Sequence, residues 1–401
     1  MSLVTDLLER ERAAVMQTYG RQPLAFSAGE GSWLTDADGG TYLDCLAGLA
    51  VVAVGHANPR VTAAVARQMA RLVHVSNLYV TEPMVALAER LARLSGLDRV
   101  FFANCGATAN EAAIKLARRF GQNARGSQCH RIVSLHDSFH GRTLATLAAT
   151  GQPQKQARFA PLPAGFVQVP AGDLMALEQA VDDSTAAVML ETIQGEGGVV
   201  PLDPSYLRAV RDLCDRTGSL LIIDDVQAGM GRTGDWLSWQ SLGFEPDIAT
   251  MAKALANGLP IGACLATEEV ASAFVPGDHA TTFGGGPVVC AAALATLDEI
   301  EQRGLLANCR MRGDQLRIGL EAIPGVTGVR GRGLLLAAVL ADPVAAAVVD
   351  AARDCGLIVN AVRSDAVRFA PPLSITEDEV NEAVTRFGHA VKTAAQGQDD
   401  A

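Results

Sequence analysis

An α/β fold with a largely parallel sheet is what this sequence predicts, and three observations predict it. Short apolar runs recur along the middle of the chain, segments with helical spacing of apolar residues separate them, and 401 residues with 49% hydrophobic content can bury a large core. In chain order, "MSLVTDLLERERAAVMQTYG" is amphipathic and acidic, a surface helix pattern rather than a signal peptide. "DRVFFAN" reads as a strand and leads into the helical pattern "ATANEAAIKLARRF". "HRIVSLH" and "TAAVMLE" are further strands, "PSYLRAVRDLCDRTG" is a helix, and "SLLIIDD" and "IGACLAT" are strands again. Strands this uniformly apolar lose the alternation of a half-exposed sheet, so helices are expected on both faces. "VTGVRGRGLLLAAVL" and "DAVRFAPPLSITEDEVNEAVTRF" predict strands with a closing helix, placing a smaller α+β domain from about Pro287. The final "AAQGQDDA" reads as a frayed tail.

Composition narrows the function. A net charge of -11 without any Lys/Arg cluster argues against nucleic acid or an anionic membrane surface, and favours a small-molecule ligand. No apolar run reaches membrane-spanning length. The eight cysteines contain no CxxC pair, which fits reduced thiols and a cytoplasmic location, with neither disulfides nor structural zinc expected.

In a parallel sheet, ligands bind beyond the carboxyl ends of the strands, so chemistry is sought there. "DIATMAKALANGLPIGA" sets Lys253 among small and apolar residues, in a chain with only four lysines. Such a lysine is either a surface residue on a turn or a nucleophile that exploits its ability to lose a proton. "SLLIIDDVQAGMGRTG" puts Asp224 and Asp225 at a strand end; either is a loop acid or a group facing the ligand. In "FFANCGATANEAAIKLARRF", Gly106 lets the backbone approach a ligand and the unpartnered N–H groups of a helix start follow, a phosphate cradle or an ordinary cap. "TTFGGGPVV" is a second possible phosphate contact. "LHDSFHGRT" gathers His136, Phe139, His140 and Arg142; Gly141 argues against the helix that a metal-binding histidine pair would need, so no metal is assigned. Arg142 suits a carboxylate and Phe139 a flat ring. Gly229, Gly231 and Gly234 spell GxGxxG, which raises a rival dinucleotide reading, but no long helix pattern follows. Nucleophilic lysine, strand-end acid, phosphate site, aromatic face and arginine together suit pyridoxal 5'-phosphate.

With these parts in place, the chain resembles the class III, fold-type I aminotransferases, and among them the acetylornithine aminotransferase family. The resemblance runs through "GLAVVAVGHANPRV", "VSNLYVTEP", "NCGATANEAAIKLAR", "FHGRTLATLAATGQPQKQ", "ETIQGEGGVV", "DDVQAGMGRTG", "PDIATMAKALANGLPIGA", "TTFGGGPV" and "VRFAPPL". It implies a large domain with a mainly parallel seven-stranded sheet at 57–286, and a small domain built from 1–56 and 287–401. It further implies that Lys253 holds pyridoxal 5'-phosphate covalently, that Asp224 keeps the ring nitrogen protonated, and that Gln227 lies near the ring hydroxyl. Phe139 matches the stacking aromatic, Gly106 and Ala107 the phosphate-binding backbone, and Thr282 a hydroxyl that reaches the neighbouring subunit's phosphate in a homodimer. Arg142 and Thr281 match substrate-binding positions. Glu196 and Arg368 match a pair that closes over a basic donor and opens for a dicarboxylate acceptor.

The implied reaction moves the terminal amine of N-acetylornithine or a near analogue to 2-oxoglutarate; ornithine, lysine, 4-aminobutyrate or another ω-amine are the alternative donors. A nicotinamide dehydrogenase and a catalytically silent scaffold are the rival classes. Val52, Cys105, Thr108, Thr192, Asp225 and Gly286 depart from the usual family residues, and "ALANG" replaces a glycine-rich run after Lys253. None removes a group needed to hold the cofactor, but several flank the expected site, which leaves the donor more open than the reaction type.

Overall fold

The computed structural model describes residues 2–399. Its centre is a seven-stranded sheet in the order Arg99–Ala103, Gly262–Ala266, Ile248–Met251, Leu220–Asp224, Thr185–Leu190, Arg131–Leu135, Phe166–Val169. Leu220–Asp224 and Thr185–Leu190 are buried at every residue, as their unbroken apolar runs predict. Only Gly262–Ala266 runs against its neighbours, pairing antiparallel on both sides. The cause lies in the connection: only a short turn and loop separate it from Ile248–Met251, too little chain for the crossover that a parallel return requires.

Helix Gly106–Arg125 crosses one face of the sheet on a stripe of small residues, with Ala109, Ala112, Ala113 and Ala117 buried. At its far end a Cβ on Gly121 would come within 2.7 Å of Cys129 Sγ and 3.3 Å of the Ala186 methyl, so the close approach itself demands glycine. Helix Pro204–Thr217 packs beside the strand it precedes, starting at the Asp203 cap and ending at Gly218 in the left-handed conformation.

Two smaller sheets flank this core. Phe26–Glu30, Trp33–Asp36 and Thr41–Asp44 form one, and its fourth strand, Leu357–Ile358, comes from the far end of the chain and pairs in parallel with Thr41–Asp44. The other is antiparallel and contains Val326–Arg332, Leu335–Leu340, Ala366–Phe369 and Asn360–Arg363. Helix Pro287–Gln302 lies on helices Pro59–Arg71 and Glu82–Ser95 and on the turn that carries Lys253. The last helix, Glu377–Asp399, packs on Leu305–Glu321 and Ala345–Asp354. It continues through most of the segment expected to fray, because its apolar stripe, including Phe387, Ala390 and Ala394, is buried; residues 400 and 401 lie outside the described part. No helix among the described residues is long and apolar enough to cross a membrane.

Candidate active site

Five carboxyl ends converge on one cavity. The strands ending at Ala103, Leu135, Leu190, Asp224 and Met251 deliver, in the residues at or just past those ends, Gly106, Phe139, Glu191, Asp224 and Lys253. All five line a space of about 330 Å³, together with Ala107, Asn110, His140, Glu196, Val226 and Gln227. This is the crevice that a parallel sheet offers to a ligand.

Asp224 is buried and held from three directions. Its Oδ1 accepts the backbone N–H of Val226 at 3.1 Å, and its Oδ2 accepts Asn110 Nδ2 at 2.8 Å and His140 Nδ1 at 2.8 Å. Since the carboxylate accepts, Nδ1 of His140 carries the proton. Asn110 is fixed in turn by donating to the His140 carbonyl at 2.7 Å and accepting Thr250 Oγ1 at 2.6 Å. Burial alone would lower the His140 pKa, but the hydrogen bond and charge of Asp224 outweigh it and the net shift is upward. The chain thus fixes one carboxylate rigidly beside a ligand cavity.

Lys253 opens the turn after Met251 with φ of +37°, a left-handed value that costs a side-chain-bearing residue about 1–3 kcal/mol. Burial depresses its pKa, with Arg368 adding to the effect while Glu196 and Asp224 oppose it. An amine so placed gives up its proton more readily than a surface lysine, as a nucleophile or base requires. The "ALANG" departure has a physical account here. Asn257 adopts φ of +47°, and its side chain accepts the Val54 N–H at 3.0 Å and donates to the Gly55 carbonyl at 3.0 Å. Asparagine tolerates the left-handed region and also ties the lysine turn to the N-terminal segment.

At the opposite end of the cavity, Cys105 caps helix Gly106–Arg125 in a reciprocal capping box with Thr108. Thr108 Oγ1 accepts the N–H groups of Asn104 and Cys105, both at 3.0 Å. Two departures, Cys105 and Thr108, therefore organise the loop, and Gly106 and Ala107, at the helix start where backbone N–H groups lack intrahelical partners, line the cavity. A Cβ on Gly106 would meet Val226 Cγ1 at 2.7 Å, so its lack of a side chain admits backbone and ligand together.

Glu196 and Arg368 are joined, Oε1 to Nη1 at 2.6 Å. Burial works to raise the Glu196 pKa, but the Arg368 charge and hydrogen bond dominate and bring it to about 2. Gln227 Oε1 accepts the same Nη1 at 3.0 Å, and Asn360 Oδ1 accepts Nε at 3.1 Å. Glu191, not among the residues expected from the sequence, lines the cavity with Phe139 and accepts N–H bonds from Phe139 and Gly195. Burial raises its pKa to about 7. Its sequence signal matches that of Asp224: an acid immediately after an unbroken apolar run, "TAAVMLE".

Two other departures are coupled. Thr192 Oγ1 bonds Ser238 Oγ at 2.5 Å, and the Ser238 N–H bonds Asp225 Oδ2 at 3.0 Å. Asp225 is wholly buried, its Oδ1 has no partner among the described residues, and burial raises its pKa to about 7. Nothing in the structure explains Val52 or Gly286. Arg142 is exposed and not among the residues that line the cavity, its guanidinium 5.5 Å from the ring centroid of Phe139, which does line it. Thr281 and Thr282 stand apart from the cavity: Thr281 Oγ1 bonds Asn104 Oδ1 at 3.2 Å, while Thr282 is exposed beside His74, Asn77 and Tyr79. The GxGxxG segment forms successive turns, and Gly231 packs against Leu306 and Leu373 instead of opening a helix, which removes the structural basis of the dinucleotide reading. Among the described residues no cluster of His, Cys, Asp and Glu could hold a metal ion.

The buried amine, the fixed carboxylate and the helix-start N–H groups fit pyridoxal 5'-phosphate. Comparison with known proteins agrees. The family described as aminotransferase class-III matches residues 15–391. The acetylornithine aminotransferase of Mycobacterium tuberculosis (strain ATCC 25618 / H37Rv) is 50% identical over 378 residues, covering 93% of each chain. That of Methanothermobacter thermautotrophicus is 46% identical over 390 residues, 96% of this chain and 98% of the relative. The crystal structure of ornithine aminotransferase from Toxoplasma gondii ME49 superposes with a TM-score of 0.94 at 32% identity, covering 99% of this chain and 97% of that one. A second structure of the Toxoplasma gondii enzyme, with a TM-score of 0.93 at 32% identity over 98% of this chain and 96% of that one, has partial occupancy of PLP at its active site.

Proposed function

We infer, from the premise that the chain belongs to the class III aminotransferases, that it moves the terminal amine of N-acetylornithine or a close analogue to 2-oxoglutarate, giving the semialdehyde and glutamate. Its cofactor is pyridoxal 5'-phosphate. The observation that carries this reading is that Lys253 and Asp224, from two hydrogen-bonded parallel strands, face one cavity. The fold expected from the sequence, α/β with a seven-stranded mainly parallel sheet, is borne out.

Lys253 would hold the cofactor covalently, Gly106 and Ala107 its phosphate, Phe139 one face of its ring, and Asp224 and Gln227 its polar edge. When bound, the cofactor supplies an electron-withdrawing ring that stabilises negative charge on the carbon bearing the substrate amine. The chain's residues do the rest. Asp224, anchored by Asn110 and His140, holds positive charge at the ring-nitrogen position, and Lys253 Nζ, its pKa lowered by burial, moves the proton at the reacting carbon. Arg142 would orient the donor. Glu196 shields Arg368 while a basic donor is bound and releases it to the second carboxylate of 2-oxoglutarate.

The enzyme works in the cytoplasm as a homodimer. Support for the dimer comes from the exposed apolar residues Leu78, Tyr79, Val80 and Phe283, on two segments joined by the bond from Asn77 Nδ2 to the Thr281 carbonyl, with Tyr79 and Thr282 sharing one surface recess outside the chain's own cavity. There Thr282 would complete the neighbour's phosphate site.

The test is a donor screen scored by glutamate formed from 2-oxoglutarate. N-acetylornithine is expected to lead ornithine, lysine and 4-aminobutyrate, with ping-pong kinetics. Sequential kinetics, or no glutamate from any donor, would sink the reading.

A further inference from the structure

We propose that Arg363 and Arg330 are positioning residues that keep Glu196 closed on Arg368 by clamping the turn that follows Glu196, and so set the balance between basic donor and dicarboxylate acceptor. This rests on the reading of Glu196 and Arg368 given above and adds what holds that pair together. Glu196 stands in the turn of a small hairpin, Ile193–Gln194 paired antiparallel with Val200–Pro201. Arg363 Nε donates to the Gly197 carbonyl at 2.6 Å, and Arg330 Nε donates to the Gly198 carbonyl at 2.6 Å. Both arginines belong to the four-stranded antiparallel sheet that also carries Arg368. One sheet therefore fixes both halves of the ion pair.

The turn needs such a hold. Gly198 has φ of +111° and Val199 φ of +54°, and for a β-branched residue the left-handed region is an outlier that persists only where the surroundings impose it. Val199 is fully buried in one apolar cluster with Leu335 and Ala337 of that same sheet, which anchors the turn on one side. The arginines anchor it on another. A Cβ on Gly198 would lie 2.7 Å from Arg363 Nε and 2.8 Å from Arg330 Nη2, and one on Gly197 would lie 2.7 Å from the Asp137 carbonyl oxygen, so the turn is gripped at its backbone. Arg363 also pairs with Asp137 at 3.1 Å, but both side chains are open to solvent and that pair alone contributes little. The carbonyl contacts carry the effect. Holding two guanidiniums this close has a cost, since burial first and then the Arg363 charge lower the Arg330 pKa.

A clamp on the backbone that leaves the side chain free favours one state of the pair. Closure needs Glu196 Oε1 within hydrogen-bond reach of Arg368 Nη1, at 2.6 Å, whereas the open state needs only that the carboxylate be elsewhere. Loosening the turn therefore shifts the balance toward a free Arg368. Arg363 is not among the residues that line the Lys253 cavity; it lines the open cavity beside it, which shares Glu196. It acts through the turn.

The experiment uses holoenzyme with R363A, R330A and R363K, and repeats R363A in an E196A background. R363A is expected to raise KM for N-acetylornithine and lower KM for 2-oxoglutarate, each about threefold, the scale of one hydrogen bond open to solvent, with kcat nearly constant. R330A should shift both KM values in the same directions, and R363K, which can still donate to one carbonyl, should recover part of the change. Calorimetric binding of glutarate, a dicarboxylate that cannot react, should tighten by a similar factor in R363A. In the E196A background R363A should alter neither KM nor glutarate affinity. A rise in both KM values, a fall in kcat alone, or an R363A effect that survives in E196A would overturn the proposal. If E196A itself leaves both KM values unchanged, the Glu196 reading fails and takes this inference with it. Should the unaltered protein form no glutamate from any donor, the transaminase reading fails, and the glutarate measurements still decide whether the arginines hold Glu196 on Arg368.

Discussion

His140 Nδ1 stands 2.8 Å from Asp224 Oδ2, with both side chains buried. The imidazole is one of three donors that keep the carboxylate in place. Replacing it by alanine is expected to reduce kcat about 10–100-fold, the usual penalty for losing a partner that orients a reacting group. D224N should cost more, on the order of 10²–10³, because it removes the charge itself. Steady-state kcat measured at matched cofactor occupancy checks both, and an H140A enzyme with unaltered kcat would mean that Asn110 and Val226 suffice.

Lys253 carries the covalent claim. Borohydride treatment of the cofactor-loaded protein should leave a mass adduct on residue 253, and K253A should show neither the adduct nor visible absorbance. An adduct retained in K253A would place the chemistry on another lysine.

Glu196 and Arg368 should divide the two half-reactions. E196A frees the guanidinium, so KM for the basic donor is expected to rise while KM for 2-oxoglutarate holds or falls; R368A should raise KM for 2-oxoglutarate about 100-fold or more. Because the Glu196 pKa is depressed to about 2, its contribution to stability is complete above the ordinary carboxyl value near 4 and is lost as pH falls from there toward 2. Acid unfolding curves of E196Q should lack that share of the pH dependence.

Asp225 works in the opposite sense. Burial raises its pKa to about 7, against about 4 in an unfolded chain. Between those values the folded protein keeps a proton that the unfolded chain has released, so this group's contribution to stability falls as pH rises from 4 to 7 and is level outside that window. The slope is at most about 1.4 kcal/mol per pH unit. D225N keeps an oxygen for the Ser238 N–H and does not titrate. Urea unfolding at pH 5 and pH 8 should therefore show a smaller loss for D225N than for the unaltered protein, with Glu191 supplying the remainder.

Gly106 tests the phosphate end of the cavity. G106A must displace Val226, whose Cγ1 would lie 2.7 Å from the new methyl. Cofactor retention on dialysis should drop while the melting temperature without cofactor changes little. Unchanged retention would show that the loop relaxes at no cost.

The sheet was legible because its strands are apolar without interruption, a pattern that "SLLIIDD" and "TAAVMLE" share and that admits few other folds. Lys253 and Asp224 were legible because an ionisable residue at the end of such a run has to face something. Glu191 carries the same mark, but in "ETIQGEGGVV" the resemblance points to Glu196 instead. Asn110 and the bond from His140 to Asp224 were not legible, since they depend on which helix turn and which loop lie side by side, and spacing within one segment does not encode that. The antiparallel strand Gly262–Ala266 was likewise hidden, because an apolar run has no direction.

Leu357 pairs with Leu43 in a sheet that joins regions roughly 300 residues apart. On the ribosome the first three strands of that sheet emerge early, and at about 5–20 residues per second they wait on the order of 15–60 s for the fourth. Until it arrives, the backbone edge at Thr41–Asp44 is open to any extended peptide nearby. Synthesis therefore creates a window in which this enzyme is vulnerable to mispairing, and slowing translation before residue 357 should lengthen it.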